Sequence, residues 1–182
     1  MQRVLLFALA LVIGCTSSAG VSSGRRDVST ITIAGSEGGT LRLRNDDTPS
    51  SSIIGLPLAK VWASLPAVFD SLGVPVTLID PKQYLIGAAE TKVRVRIGGV
   101  ALSRYFECGT TQIGANADSY EILLTLLAHL KPAPANTTTI EITVKAVARP
   151  VAFRQGYSDC QPKATGAIDD RLVEILRRQA TR

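Results

Sequence analysis

Apolar residues spaced three and four positions apart predict two helices in this chain. The first covers 58–72, with Pro57 in its first turn and Gly73 at its C-terminal cap. Pro66 falls inside this helix and is expected to kink or split it, because proline cannot donate a hydrogen bond to the carbonyl of Trp62. Trp62 is the only tryptophan, and its place on the apolar face predicts a core residue.

The second helix lies at the end of the chain and follows Thr165, a candidate N-cap. Two aspartates occupy its first turn and two arginines its last, which complements the helix dipole. Its apolar face consists of Ile168, Leu172, Ile175 and Leu176.

Strands are predicted where apolar and polar residues alternate. Segments 30–33 and 41–44 flank a glycine-rich connection and are typical of a hairpin, and 74–78 is a short strand before a turn at 80–82. In 92–97 the alternation puts three apolar residues, Val93, Val95 and Ile97, on one face. The opposite face of that strand carries Lys92, Arg94 and Arg96.

Residues 118–131 fit either a helix or a strand. Asp118 and Glu121 make a plausible capping box and the leucines favour a helix, but apolar residues also alternate along the segment. Residues 139–148 alternate clearly, and a proline-rich stretch separates the two segments, so we predict a long antiparallel hairpin. The hairpin would leave two leucines on the outer face of the sheet that need a cover, Leu123 and Leu127.

Together these elements predict an α+β domain over residues 29–182, with an antiparallel sheet of about four to six strands packed by two helices. Val61-Trp62-Ala63-Ser64-Leu65 leads through Leu72-Gly73-Val74 into the first strand of a meander. This order resembles the helix-grip modules of the C component of the outer-membrane β-barrel assembly machinery. Two further stretches are similar to uncharacterised bacterial lipoproteins, Leu102-Ser103-Arg104-Tyr105 and Asn116-Ala117-Asp118-Ser119-Tyr120. The resemblance implies fold and anchoring, and transfers no role to any residue.

Arg3 is the only charge before an unbroken apolar run over 4–13, which Gly14 and Cys15 follow. This order is typical of a cleaved signal segment and resembles the lipobox of bacterial lipoproteins. The run is too short to cross a bilayer, for which a helix needs about 20 residues. The resemblance implies cleavage after Gly14 and a lipid on Cys15. In the lipoprotein family an aspartate directly after the cysteine often retains the protein in the inner membrane, and here Thr16 stands at that position. The resemblance therefore implies the outer membrane, facing the periplasm; the inner membrane and an ordinary secretory signal stay open.

The predicted organisation is therefore a lipoprotein signal at 1–14, a serine- and glycine-rich tether at 15–28 and one domain after it. With Cys15 lipidated, Cys108 and Cys160 remain as an even pair in an oxidising compartment. We predict that these two cysteines form a disulfide. A reactive or metal-binding thiol is the weaker alternative, because neither cysteine has a histidine or second cysteine at ligand spacing.

The formal net charge of +5 fits an anionic lipid surface or an acidic partner. The basic residues are scattered along the sequence, so we do not expect the protein to bind nucleic acid. The candidate partner surface is the stripe of Lys92, Arg94 and Arg96, although a half-exposed strand normally carries charges on its solvent face.

Candidate catalytic groups are sparse. His129 is the only histidine, no serine lies in a G-x-S-x-G turn, and the two aspartate pairs are adjacent in sequence, so that their side chains diverge. We therefore expect that the protein is not an enzyme and that it binds no cofactor and no metal.

Two functions fit these observations. One is a non-catalytic envelope lipoprotein that binds another envelope protein through a sheet edge or the basic stripe. The alternative is a carrier of a lipid or other hydrophobic ligand, which requires a cavity of at least about 300 Å³. Its predicted lining includes Trp62, Phe69, Leu124 and Leu126.

Overall fold

The structure, a computed structural model, describes residues 29–32, 40–43, 49–112, 114–151 and 162–181. The predicted signal 1–14, Cys15, the tether 15–28 and Cys160 lie outside the described residues. The strands are β1 (Ser29–Thr32), β2 (Thr40–Leu43), β3 (Ser50–Ile54), β4 (Leu78–Asp80), β5 (Leu85–Arg94), β6 (Arg96–Ile97), β7 (Val100–Ala101), β8 (Phe106–Glu107), β9 (Thr110–Thr111), β10 (Gly114–Ala115), β11 (Tyr120–Ala133), β12 (Thr137–Pro150) and β13 (Lys163–Ala164). The helices are α1 (Leu58–Leu72), α2 (Asn116–Ser119) and α3 (Ala167–Ala180), with a 3-10 turn at Leu102–Arg104.

A five-stranded antiparallel sheet in the order β3-β12-β11-β5-β4 forms the centre of the fold. Its longest pair is the β11–β12 hairpin, which runs from Tyr120 opposite Pro150 to Ala133 opposite Thr137. The predicted α+β class and the strand at 118–131 are confirmed, as is the predicted hairpin near the N-terminus, formed by β1 and β2. Asp118 itself lies in α2, just before the strand begins.

Helices α1 and α3 pack on one face of the sheet and on each other, because every second residue of β11 and β12 is apolar and points toward them. Ile122, Leu124 and Leu126 are completely buried on this inner face. The Gln179 side-chain amide of α3 donates to the Ala67 carbonyl (3.2 Å) and so links the two helices. We call the opposite side of the sheet the outer face.

The predicted boundaries of α1 are confirmed, but the expectation that Pro66 could split the helix is wrong. The helix is continuous through Pro66, from Leu58 to Leu72. Gly73 ends it at φ 65°, where its amide donates to the Asp70 carbonyl (2.8 Å). At α3 the N-cap is Gly166 rather than Thr165, whose hydroxyl nevertheless accepts the Ala167 amide (3.3 Å).

The strand predicted over 92–97 is wrong in its second half. β5 ends at Arg94, and Val95 adopts φ 64° with a 55% exposed side chain, whereas Val93 and Ile97 are buried. The chain turns here because β6 and β7 form a separate hairpin, and the Gly98 amide of that hairpin donates to the Leu72 carbonyl (2.7 Å) at the end of α1. The strand predicted at 74–78 is likewise displaced toward its C-terminal end, since β4 begins only at Leu78.

Of the two leucines predicted to need a cover on the outer face, Leu127 is buried. It packs with Leu78 and Leu85 in a small second cluster. Leu123 is partly exposed. A bulge between β5 and β11 shifts the register near Thr125, whose hydroxyl accepts the Glu90 amide (3.2 Å). The second cluster adds apolar contacts between β4, β5 and β11 beyond their ladder bonds.

Candidate functional site

Two residues of the predicted basic stripe, Lys92 and Arg94, lie on the outer face around Glu121 of β11. The Arg94 guanidinium donates to one Glu121 oxygen from Nε (3.0 Å) and Nη2 (2.5 Å), and Lys92 Nζ lies 3.4 Å from the other. The Arg94 hydrogen bonds, and after them the nearby Lys92, hold the pKa of Glu121 below its ordinary value, against the opposing effect of desolvation. The cations remain accessible, since the Lys92 and Arg94 side chains are 70% and 56% exposed.

Arg96 is not part of this group. It belongs to β6, beyond the turn at Val95, and its Nη1 donates to the Gly99 carbonyl within the same short hairpin (2.9 Å). The structure therefore brings together two of the three residues of the predicted stripe.

Two basic residues of β12 complete the cluster and were missed by the sequence analysis. Arg149 is the register partner of Glu121 on the side opposite Arg94, and Lys145 is the partner of Thr125. The alternation of 139–148 places Lys145 on the outer face, but only the hairpin register shows that it joins Lys92 and Arg94. We call Lys92, Arg94, Lys145 and Arg149 the basic surface.

The other end of the outer face carries a second group of charged and polar side chains. Lys131 Nζ lies 2.6 Å from Glu141 Oε1, and His129 Nδ1 lies 3.5 Å from the second oxygen of the same carboxylate. One carboxylate thus contacts both a lysine and a histidine at this end of the sheet.

A second candidate site lies at the β4 edge of the sheet. Two large apolar side chains flank the β4–β5 turn and are exposed, Ile79 at 53% and Tyr84 at 37%. Trp62 of α1 packs edge-on against Tyr84, with the ring centroids 5.6 Å apart. We call Ile79, Tyr84 and Trp62 the apolar edge.

The residues predicted to line a ligand cavity belong to the core. Phe69, Leu124 and Leu126 are completely buried in one cluster with both helices, and Trp62 packs at its margin, partly buried. They stabilise the helix–sheet interface by contact with one another.

Asp118 and Ser103, a carboxylate and a hydroxyl in contact, have a structural role. Asp118 accepts both the amide (2.8 Å) and the hydroxyl (2.7 Å) of Ser103, which ties the 3-10 turn to α2. Over the described ranges, no three histidine, cysteine, aspartate or glutamate side chains are grouped to hold a metal. Cys108 is disulfide-bonded; the predicted pairing with Cys160, which lies outside the described residues, stays a prediction.

The chain matches no protein-family model, and neither a curated protein nor a solved structure is detectably similar to it. Within the described part of the chain, no helix is long and apolar enough to cross a membrane.

Proposed function

We propose that the chain is a non-catalytic envelope lipoprotein, anchored through Cys15 at the periplasmic face of the outer membrane, that binds another envelope protein. The observation that supports this proposal is the apolar edge. Ile79 and Tyr84 expose apolar surface at the sheet margin beside a tryptophan. Aromatic side chains packed beside a partner-accessible apolar residue are typical of protein-binding hot spots.

The partner we propose is an extended segment that adds to the sheet along β4. This strand is hydrogen-bonded to β5 on one side, and among the described residues no strand pairs with its other side. An unpaired edge offers backbone donors and acceptors to an incoming strand, while apolar side chains beside it select the residues of that strand. Binding of this kind depends little on salt.

Site-specific photo-cross-linking in cells tests the proposal. A photoreactive amino acid replaces Ile79 in the full chain, and the matched control replaces Ile53, which is 66% exposed at the opposite sheet edge on β3. We expect one discrete protein adduct of fixed stoichiometry from position 79 and none from position 53. The adduct should also be lost in Cys15→Ala, because an unanchored chain is diluted away from a membrane-bound partner.

The substitution Ile79→Lys provides the complementary measurement. Because Ile79 is more than half exposed, the variant should fold normally, as circular dichroism can verify, and still lose the adduct detected by a chemical cross-linker. Equal adducts from positions 53 and 79, or an adduct that survives Ile79→Lys, would overturn the proposed contact surface.

A further inference from the structure

We infer that the segment bound along β4 is an amphipathic strand of another protein, about five residues long, whose apolar side chains lie on the helix side of the sheet beside Ile79 and Tyr84. This assignment rests on the proposed function, because it specifies the partner of the same apolar edge. It defines the length of the segment, the face that carries its apolar residues and the residue of this chain that selects them.

Two prolines limit the length of edge that can pair. Pro75 and Pro81 lie on either side of β4, and both are exposed. The Thr77 amide donates to the Gly87 carbonyl (2.9 Å), so the chain is held to β5 one residue before β4 begins. Because proline has no backbone N–H to donate, the edge that can both donate and accept lies within 76–80. An edge of this length accommodates a strand of about five residues.

The two sides of this edge offer different surfaces to an incoming strand. Ile79 is the register partner of Ile86, which belongs to the main core with the helices, so Ile79 points to the helix side. Its side chain is 53% exposed there, whereas on the outer side Leu78 is buried in the second cluster. Neighbouring strands place paired side chains on the same face. An incoming strand therefore meets an accessible apolar residue of β4 on the helix side and a covered one on the outer side.

Tyr84 is held in place by the chain itself. It lies in the left-handed region at φ 51°, which is unfavourable for a bulky residue. Asp80 fixes the turn that precedes it, since the Asp80 Oδ1 accepts the amides of Lys82 (2.9 Å) and Gln83 (3.2 Å). The Tyr84 carbonyl accepts the Leu130 amide of β11 (3.0 Å). Backbone strain of this kind persists where the surrounding contacts determine the position, and it is frequent at ligand-binding sites.

The ring of Tyr84 favours an aliphatic side chain as its ligand. Trp62 packs against it with the two ring planes at 90°. Two perpendicular rings do not form one flat platform, on which a sugar ring could stack, but they present a ring face and a ring edge at an angle. A branched aliphatic side chain can contact both. We expect such a residue on the helix side of the incoming strand, beside Ile79.

Selection from a displayed peptide library tests the assignment without knowledge of the natural partner. The bait is the full chain carrying Cys15→Ala, so that no lipid contributes to capture. The probe is a library of random short segments displayed in many copies on phage, because avidity makes weak binding measurable. We expect segments that prefer the bait to its Ile79→Lys variant by about tenfold or more. These segments should share a run of about five residues with apolar residues at every second position and no proline within the run.

Variants of the bait at Tyr84 test whether this residue selects the segment. Tyr84→Asn removes the ring but supplies a residue that tolerates the left-handed region, and Tyr84→Phe keeps the ring. The matched control is Ile53→Asn at the opposite sheet edge, where the side chain is 66% exposed. We expect capture of the selected segments to fall about fivefold or more in Tyr84→Asn and to change less than about twofold in Tyr84→Phe and Ile53→Asn.

Backbone methylation of a selected segment tests strand addition without any change to the bait. The segment is made in two versions, each N-methylated at alternate amides. Methylation of the amides that face β4 removes donors and blocks close approach, so one version should lose binding about tenfold and the other should bind nearly as before. Equal binding of the two versions would exclude pairing along β4, even if Tyr84→Asn fails to fold.

Three further results would overturn the inference: selected segments without a period of two, no segment that distinguishes the bait from Ile79→Lys, and equal capture by folded Tyr84→Asn. Dimers of the purified chain that Ile79→Lys abolishes would identify the occupant as a second copy and also overturn it. The selected pattern without a cellular adduct from position 79 would refute the proposed function but support the preference of the edge. An adduct without a shared pattern would do the reverse.

Discussion

Glu121 organises the basic surface because its carboxylate contacts both Lys92 and Arg94. Its side chain is only 18% exposed, whereas those of its two partners extend outward. The carboxylate therefore holds the charged ends of both side chains over the outer face of the sheet. This role depends on a cross-strand register that spans 27 positions of sequence between Arg94 and Glu121.

Replacement of Glu121 by glutamine should reduce stability at neutral pH and remove part of the acid sensitivity. The folded-state pKa of Glu121 lies below its ordinary value of 4.5, so its contribution is fully present above that pH and is lost as pH falls through the folded-state pKa. Urea denaturation should show the largest difference between the two proteins at pH 7 and a shrinking difference in acid. A difference that is constant over the whole range would contradict the ion-pair account.

Gly87 lies where the backbone of the neighbouring strand β11 leaves no room for a side chain. The two residues are register partners, and a Cβ at Gly87 would lie 2.9 Å from the Leu127 Cα and closer still to the carbonyl oxygen of Leu126. We expect Gly87→Ala to lower the free energy of unfolding by about 2 kcal/mol or more, because backbone must move. Gly55→Ala, which meets no atom within 4 Å, should stay within about 0.5 kcal/mol in the same denaturation experiment.

Single-residue patterns predicted which face a side chain occupies, but not its partners. The period of two correctly put Lys92 and Arg94 opposite Val93. It did not show that Arg149 also lies beside Glu121, because the β11–β12 register depends on the turn that joins these two strands. Two of the four residues of the basic surface, Lys92 and Arg94, were therefore predicted from the sequence.

At the scale of elements, the sequence predicted the long helix and the strands that pair with a neighbour close in sequence. Helix α1 lies where its apolar spacing and its cap indicated, and the β11–β12 hairpin joins segments only a few residues apart. The extent of β4 and the break between β5 and β6 were not predictable, since they depend on where the chain leaves the sheet to meet α1. Tertiary contacts at the end of α1 thus outweighed the alternation around Val95.

The break at Val95 implies a test at this scale. A β-branched residue at φ 64° is strained, and Val95 offsets little of that strain by burial because it is 55% exposed. Val95→Asn should raise the free energy of unfolding by about 1 kcal/mol, since asparagine tolerates the left-handed region. Val151→Asn is the control, because Val151 is similarly exposed and its φ is not positive. A loss of stability in Val95→Asn would contradict the inference that the backbone is strained at Val95.

At the scale of the molecule, the sheet and the helices share a main core. The segment that precedes α3 pairs with an earlier part of the chain. Strand β13 pairs with β8, so that Lys163 lies opposite Glu107, directly before Cys108. The Thr165 hydroxyl donates to the Arg104 carbonyl (2.9 Å) just before α3 begins. These contacts bring the chain that precedes α3 close to Cys108, although Cys160 itself lies outside the described residues.

Cys108 is disulfide-bonded, and the chain has two other cysteines, Cys15 and Cys160. We predict the bond to Cys160, which closes a loop of about 50 residues and removes roughly 4 kcal/mol of entropy from the unfolded chain, before any strain is subtracted. Cys108→Ser and Cys160→Ser should each lower the free energy of unfolding by about 2–4 kcal/mol, and the double variant by no more than either. Peptide mapping of the unreduced protein should recover the Cys108 and Cys160 peptides linked. A Cys15–Cys108 peptide would refute the pairing and the lipid anchor together, because one sulfur cannot carry both a disulfide and a lipid.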